Sequence, residues 1–258
     1  MKRHIANGFT LLNLVFGCIS IIVIMYDSLS ADVLKNETSS AFDILSHQLS
    51  IASLFIICSA LVDFFDGFIA RLLGIASELG KQLDSLADVV SFGVAPSLIV
   101  FRYINFIYLE NGTERIHALL YALPAVLIAI AGAYRLARFN ITTSSTKNFQ
   151  GVPIPAAALL TISLPFIFTY ENNSWINAIA HNAWYWYIYV LIVSFLMVAR
   201  FPVLSFKSKG FDLTKDWWKV ALGIIAIILS MCIQWQAIPI VFFIYVLFSF
   251  IFLKEEKE

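Results

Sequence analysis

Long apolar runs alternate with short polar connections along most of this chain. A bilayer core of about 30 Å takes roughly 20 helical residues to cross. About eight runs approach that length, at residues 7–26, 48–72, 81–108, 117–139, 154–170, 183–200, 217–233 and 236–253. The pattern therefore predicts an all-α integral membrane protein with about eight transmembrane helices.

Composition supports one membrane-embedded unit. Of the 258 residues, 60% are hydrophobic and 13% are charged, and the mean hydropathy is +0.84. No hydrophilic stretch is long enough to form a second core, so we expect a single domain over residues 1–258. The formal net charge of zero favours no nucleic-acid partner.

The basic residues are distributed unequally between the two predicted faces. Only Lys35, Arg102 and Arg115 fall on the side opposite the termini. By the positive-inside rule, the side of the termini is the cytoplasm. The basic residues predicted to lie there are Lys2, Arg3, Arg71, Lys81, Arg135, Arg138, Lys147, Arg200, Lys207, Lys209, Lys215, Lys219, Lys254 and Lys257.

Aromatic residues cluster near the ends of two predicted spans. Trp217 and Trp218 stand beside Lys215 and Lys219, and the segment 184–186 reads Trp-Tyr-Trp. Such side chains are typical of the membrane interface. We expect both groups to be interfacial anchors.

Four aspartates lie in or beside apolar runs, where a carboxylate is costly and usually serves an ion, a proton or a substrate. Asp63 and Asp66 are spaced i, i+3, and Asp84 and Asp88 are spaced i, i+4, so each pair shares one face of its helix. A tight cytoplasmic turn at roughly 72–79 would bring the two faces together. The oxygen ligands favour a hard cation such as Mg²⁺ or Mn²⁺.

Small and basic residues surround these acids. Gly67, Ala70 and Gly80 allow backbones or a ligand to approach closely, and Arg71 adds a forked cation. A divalent cation together with arginine suits the recognition and transfer of a diphosphate-linked group.

The full pattern is D-x2-D-G-x2-A-R-x8-G-x3-D-x3-D over residues 63–88. It resembles the signature of the CDP-alcohol phosphotransferases. That resemblance implies a six-helix core with additional C-terminal helices at about 217–253, a homodimer, and the use of two metal ions. It further implies that Asp63, Asp66 and Asp84 hold the metals with help from Asp88, which is also the expected general base.

The same resemblance implies a binding site for the CDP-linked lipid. Asn7 and Thr10 occupy positions comparable to an Asn and a Thr near the start of the family's first helix, although Ala6 stands where relatives usually have proline. The residues implied to line this site are Asn7, Thr10, Gly67, Ala70, Arg71 and Ser77.

Three segments, 83–96, 135–140 and 151–158, look like the branch of the family that uses serine as acceptor. The resemblance implies CDP-diacylglycerol and L-serine as substrates and CMP as a product. The serine carboxylate calls for a cation, and Arg135, Arg138 and Lys147 are the candidates.

Two alternatives stay open at this point. The same enzyme class can serve another acceptor, such as glycerol 3-phosphate or inositol phosphate. An ion-coupled transporter also places acids on membrane helices, but it predicts related halves, and the sequence has no such symmetry. Neither the choice between Mg²⁺ and Mn²⁺ nor the donor backbone follows from the sequence.

Overall fold

The computed structural model describes residues 2–26, 40–73, 78–141, 149–171, 173–200, 202–203 and 217–255. Helices account for nearly all of this part of the chain. Because lipid offers no partners to backbone N–H and C=O groups, a helix is the form in which an apolar run satisfies them internally. The first four helices are α1 (Lys2–Met25), α2 (Ala41–Leu73), α3 (Glu78–Asp88) and α4 (Ala95–Glu110).

The remaining elements follow the C-terminal end of α4. They are α5 (Arg115–Ala122), α6 (Val126–Ile141), β1 (Phe149–Gln150), α7 (Ile154–Tyr170), α8 (Ser174–Ala180), α9 (Ala183–Val198), β2 (Pro202–Val203), α10 (Trp217–Ile233) and α11 (Ala237–Glu255). A π-helical segment, Val89–Val94, joins α3 to α4 without a break. The all-α membrane fold expected from the sequence is confirmed, and β1 and β2 form only a two-residue antiparallel pairing.

Within the described residues, five apolar helical stretches are long enough to cross a membrane: Gly8–Met25, Ala41–Phe68, Glu78–Glu110, Arg115–Ile141 and Ala221–Ser249. Helices α8 and α9, bent by 74°, add a sixth if they form one span. The prediction of about eight is thus not confirmed. Helix α7 has only 17 residues, and the 217–253 region, predicted as two spans, forms one apolar stretch around a short 3-10 turn with Gln234 at φ 45°.

Helices α1 and α2 form an extensive contact that includes buried polar side chains. The Ser20 hydroxyl donates to the carbonyl of Ala52 at 2.9 Å. The Gln48 amide donates to the carbonyls of Val23 and Tyr26, which belong to the end of α1 where carbonyls lack partners within the helix. These bonds fix α1 along α2, and the C-terminal half of α2 carries the candidate site.

The core around the middle of α4 and the start of α9 is aromatic. Trp186 is fully buried, its ring stacks on Tyr103 at 4.7 Å, and its indole N–H donates to the Ala180 carbonyl at 2.9 Å. Its expected role as an interfacial anchor is therefore wrong, and so is that of Trp218, which is also buried. Trp184 is 72% exposed, and its role as an anchor stays a prediction.

Gly151 follows β1 at a crowded turn. Its φ is +71°, and a Cβ there would lie 2.6 Å from the Met197 carbonyl oxygen and 2.8 Å from that of Ala199. The next residue, Val152, donates its N–H to the Leu196 carbonyl at 3.0 Å. Only glycine combines this backbone conformation with this close approach, which ties the start of α7 to the end of α9.

We expect Gly151→Ala to lower stability clearly more than Gly112→Ala. Gly112 also has a positive φ, +78°, but nothing lies within 4 Å of its added Cβ. Both variants carry the left-handed strain of about 1–2 kcal/mol, and only Gly151→Ala adds a backbone clash, which costs about 1–3 kcal/mol more. Thermal unfolding in detergent measures the difference, and equal shifts in Tm would contradict the clash.

Candidate metal and active site

Three carboxylates from two helices meet near the connection between α2 and α3. Asp63 lies on α2, and Asp84 and Asp88 lie on α3; one oxygen from each lies within 4.8 Å of the other two. Asp63 and Asp84 are half-buried, and Asp88 is 8% exposed. The expected convergence of the two helix faces is thus present for three of the four predicted acids.

Asp66 lies one helical turn from Asp63 but is not part of this cluster. Its buried carboxylate accepts a hydrogen bond from the Thr10 hydroxyl of α1. Its role as a metal ligand therefore stays a prediction, as does a role for Thr10 in lipid binding. What the contact does is join α1 to the helix that carries Asp63.

Asn13 is a buried residue that the sequence reasoning passed over. Its amide Nδ2 donates to Asp88 Oδ1 at 3.4 Å, and its Oδ1 accepts from the Ser59 hydroxyl. Its backbone carbonyl accepts from Ser59 at 3.1 Å and from Ser91 at 3.2 Å. An amide side chain inside an apolar helix was the available signal, since polar groups at membrane depth are costly unless they have partners.

The π-helical segment begins directly after Asp88. Segments of this kind are frequent at functional sites because they shift the side chains of one turn relative to the next. Here the segment packs on α1 at close range: a Cβ on Gly17 would lie 2.3 Å from Ser91 Oγ and 3.0 Å from Ser91 Cα. The segment therefore places Ser91, three residues after Asp88, against α1.

Two arginines of α6 differ in their surroundings. Arg135 is 6% exposed, interacts electrostatically with Asp88 and Tyr245, and its Nε has no hydrogen-bond partner within the described part of the chain. Arg138 donates from Nη1 to the Val198 carbonyl at 2.9 Å and lies 6.0 Å from the centre of the Tyr134 ring. Arg135, a predicted acceptor residue, is thus buried within electrostatic range of Asp88.

Helices α3 and α6 are also linked at the edge of the site. The Asn140 amide donates to Ser85 Oγ at 2.8 Å, and Ser85 donates to the Lys81 carbonyl of its own helix. The Lys81 ammonium donates to the Asn140 carbonyl at 3.4 Å. This link holds the end of α6, and with it Arg135, next to the face of α3 that carries Asp84 and Asp88.

Several predicted site residues cannot be placed by their side chains. Gly67 lies exposed on α2. Asn7 on α1 and Ala70 and Arg71 on α2 belong to helices, but their side chains lie outside the described part. Ser77 and Lys147 lie outside the described residues altogether, so their predicted roles stay predictions.

The donor set fits a hard divalent cation. The three converging groups are all carboxylates, which are ligands that Mg²⁺ and Mn²⁺ prefer. Neighbouring carboxylates in a partly buried place also repel one another, and a bound cation relieves that repulsion. With Arg135 beside them, the arrangement suits a substrate that carries negative charge.

Comparison with known proteins gives one family and one recurrent activity. The family model described as CDP-alcohol phosphatidyltransferase matches residues 3–183. A CDP-diacylglycerol–serine O-phosphatidyltransferase of Helicobacter pylori is 33% identical over 176 residues, which cover 67% of this chain and 69% of that protein. The Bacillus subtilis protein of the same name is 37% identical over 131 residues, covering 48% of this chain and 66% of that protein.

An archaeal protein is similar over a shorter region. The archaetidylserine synthase of Methanothermobacter thermautotrophicus is 40% identical over 124 residues, which cover 45% of this chain and 46% of that protein. The two bacterial proteins share one name, and the archaeal name differs from it in the lipid. Serine occurs in both names.

Proposed function

We propose that this chain, which belongs to the CDP-alcohol phosphatidyltransferase family, transfers a phosphatidyl group from CDP-diacylglycerol to the hydroxyl of L-serine and releases CMP. The observation that carries the proposal is the convergence of Asp63, Asp84 and Asp88 beside the buried Arg135. The names of the similar proteins support serine as the acceptor.

The donor would bind next to the clustered aspartates of α2 and α3. Gly67 is exposed there, and glycine lets a ligand approach the helix backbone. Arg71 follows one turn later on the same helix, and a guanidinium is suited to hold a diphosphate in two parallel hydrogen bonds. Asn7, Thr10, Ala70 and Ser77 complete the proposed donor site.

Asp63, Asp66, Asp84 and Asp88 are the proposed ligands of a divalent cation, Mg²⁺ or Mn²⁺, and the resemblance favours two ions. When bound, such ions neutralise the diphosphate and make CMP a better leaving group. A helical frame holds these side chains before the substrates arrive, which limits the reorganisation required during the reaction.

Asp88 is the proposed general base. The serine oxygen attacks the phosphorus of the phosphatidyl group, a new O–P bond forms, and the bond from phosphorus to the CMP oxygen breaks. The hydroxyl proton passes to Asp88 as the attack proceeds, because a free serine alkoxide is too scarce at neutral pH. Asp88 is the most buried of the three clustered carboxylates, so few water molecules compete for that proton.

Arg135 is the proposed contact for the serine carboxylate. It lies within electrostatic reach of Asp88, so an acceptor held there has its hydroxyl near the base. Its Nε, without a partner among the described residues, offers a donor for a carboxylate oxygen. Arg138 and Lys147 are proposed to add positive charge at the entrance.

The membrane arrangement is also proposed. We propose that both termini and the site face the cytoplasm, because the eight-span division of the sequence puts all basic residues except Lys35, Arg102 and Arg115 on that side. Labelling of single cysteines from either side tests this, and a C-terminus on the side opposite the N-terminus would contradict it. As the resemblance implies, α10 and α11 are proposed as additions to the family core within one domain; both lie beyond residue 183, where the family match ends. A homodimer stays a prediction from the resemblance.

The test is CMP release by the purified protein in detergent, with CDP-diacylglycerol and either Mg²⁺ or Mn²⁺. We expect release that depends on L-serine and stops with a chelator, and that glycerol 3-phosphate and inositol phosphate do not replace serine. Release with one of those two instead would keep the reaction class and overturn the acceptor. No release with any of them would overturn the proposed function.

A further inference from the structure

We infer that Asn13 is a positioning residue: its amide holds the Asp88 carboxylate in the orientation that proton transfer from the acceptor requires. The inference rests on the proposed function, because it gives Asn13 a role through the proposed base. It assigns a part in the reaction to the middle of α1, three residues beyond the last comparable position, Thr10, with Leu11 and Leu12 between them.

The orientation of the Asn13 amide is set by its partners. An amide has donors at one end and acceptors at the other. An ionised carboxylate only accepts, so Nδ2 faces Asp88 and donates to its Oδ1 at 3.4 Å, and the amide oxygen is left to accept from the Ser59 hydroxyl. Both Asn13 and Ser59 are fully buried, where water cannot replace a missing partner and the bonded arrangement is strongly favoured.

The backbone of Asn13 is held as firmly as its side chain. Its carbonyl accepts from Ser91 on the π-helical segment, and it shares the single proton of the Ser59 hydroxyl on α2 with the side-chain Oδ1. One turn later, Gly17 packs so closely on Ser91 that no Cβ fits. Asn13 is therefore fixed to both helices that supply the clustered carboxylates.

A carboxylate turns readily about its terminal torsion unless a partner holds it. By engaging Oδ1 of Asp88, Asn13 leaves Oδ2 to face the acceptor hydroxyl. A displacement of a reacting group by about 1 Å costs roughly a hundredfold in rate. Loss of the Asn13 amide should therefore slow the reaction without removing the base itself.

The test compares Asn13→Ala and Ser59→Ala with a matched control, Ser20→Ala. Ser20 and Ser59 are both fully buried, and each donates to a carbonyl across the contact between α1 and α2, but Ser20 lies two turns from Asn13 and bonds Ala52. The measurements are kcat and the KM for CDP-diacylglycerol per folded enzyme, thermal unfolding, and Mn²⁺ binding by calorimetry without substrates.

We expect kcat to fall about a hundredfold in Asn13→Ala and about tenfold in Ser59→Ala, with the KM for the CDP-lipid within threefold of wild type. Ser20→Ala should lower Tm and keep kcat within twofold. The inference is overturned if kcat of Asn13→Ala stays within twofold, or if Ser20→Ala loses as much rate as Ser59→Ala. Ser59→Ala decides the matter alone if Asn13→Ala does not fold.

Failure of the proposed function gives a different result. In that case the wild-type protein shows no serine-dependent CMP release, and Mn²⁺ binding becomes the readout. Binding weakened severalfold in Asn13→Ala and Ser59→Ala, but not in Ser20→Ala, still supports Asn13 as the residue that positions Asp88. Equal binding in all four proteins would overturn it.

Discussion

Asp88→Asn should abolish turnover while the protein remains folded. An amide of the same shape cannot accept the serine proton, and loss of a general base costs about 10²- to 10⁴-fold in rate. At the same time the substitution removes one of three carboxylates within 4.8 Å of one another, so without divalent cations we expect Tm to stay equal or rise. CMP release and thermal unfolding in a chelator measure both effects.

The matched control is Asp43→Asn. Asp43 lies exposed in the first turn of α2, on the same helix as Asp63 but about six turns away, and its loss should leave turnover within twofold. Activity of Asp88→Asn within tenfold of wild type would remove Asp88 as the base. A large drop in Tm would show instead that the carboxylate is needed for folding.

Helical periodicity made the carboxylate cluster predictable. The spacing of Asp84 and Asp88 places both on one face of a helix, and Asp63 faces them once the chain turns back after α2. The same rule failed to separate Asp66 from Asp63. Asp66 is engaged by Thr10, which lies on a helix more than fifty residues earlier, and no local pattern reports such a contact.

The contacts of Asn13 were likewise not predictable from a local sequence pattern. Its importance comes from Ser59, Asp88 and Ser91, which are brought to it by tertiary packing. The anchor role predicted for Trp186 is wrong for a related reason. Aromatic composition suits an interface and a core equally, and packing against Tyr103 places Trp186 inside.

Hydropathy likewise identified the membrane class but not the division into spans. An apolar run records that a segment is in lipid and does not record where it bends. Gln234, with its positive φ, interrupts the last apolar stretch, and the 74° bend lies between α8 and α9. Both features arise from backbone conformations that average hydrophobicity does not contain.

Arg135→Gln should specifically impair the use of the acceptor carboxylate. A hydrogen bond to a charged group contributes about 1.5–3 kcal/mol, so we expect the KM for L-serine to rise at least about tenfold. Since Arg135 also interacts with Asp88, kcat should fall as well, and KM alone does not isolate the contact. Comparison of L-serine with its methyl ester, which lacks the carboxylate charge, does so.

The wild-type enzyme should prefer serine over the methyl ester in kcat/KM, and this preference should nearly disappear in Arg135→Gln. Arg115→Gln is the control, because Arg115 is exposed at the start of α5 and is not part of the proposed acceptor site, so its loss should keep the preference. If the preference survives in Arg135→Gln while the KM for CDP-diacylglycerol rises, Arg135 binds the donor diphosphate and another group selects serine. The separation works because the substitution removes one cation and the methyl ester removes one anion, so the two changes are coupled when that cation and that anion form a direct pair.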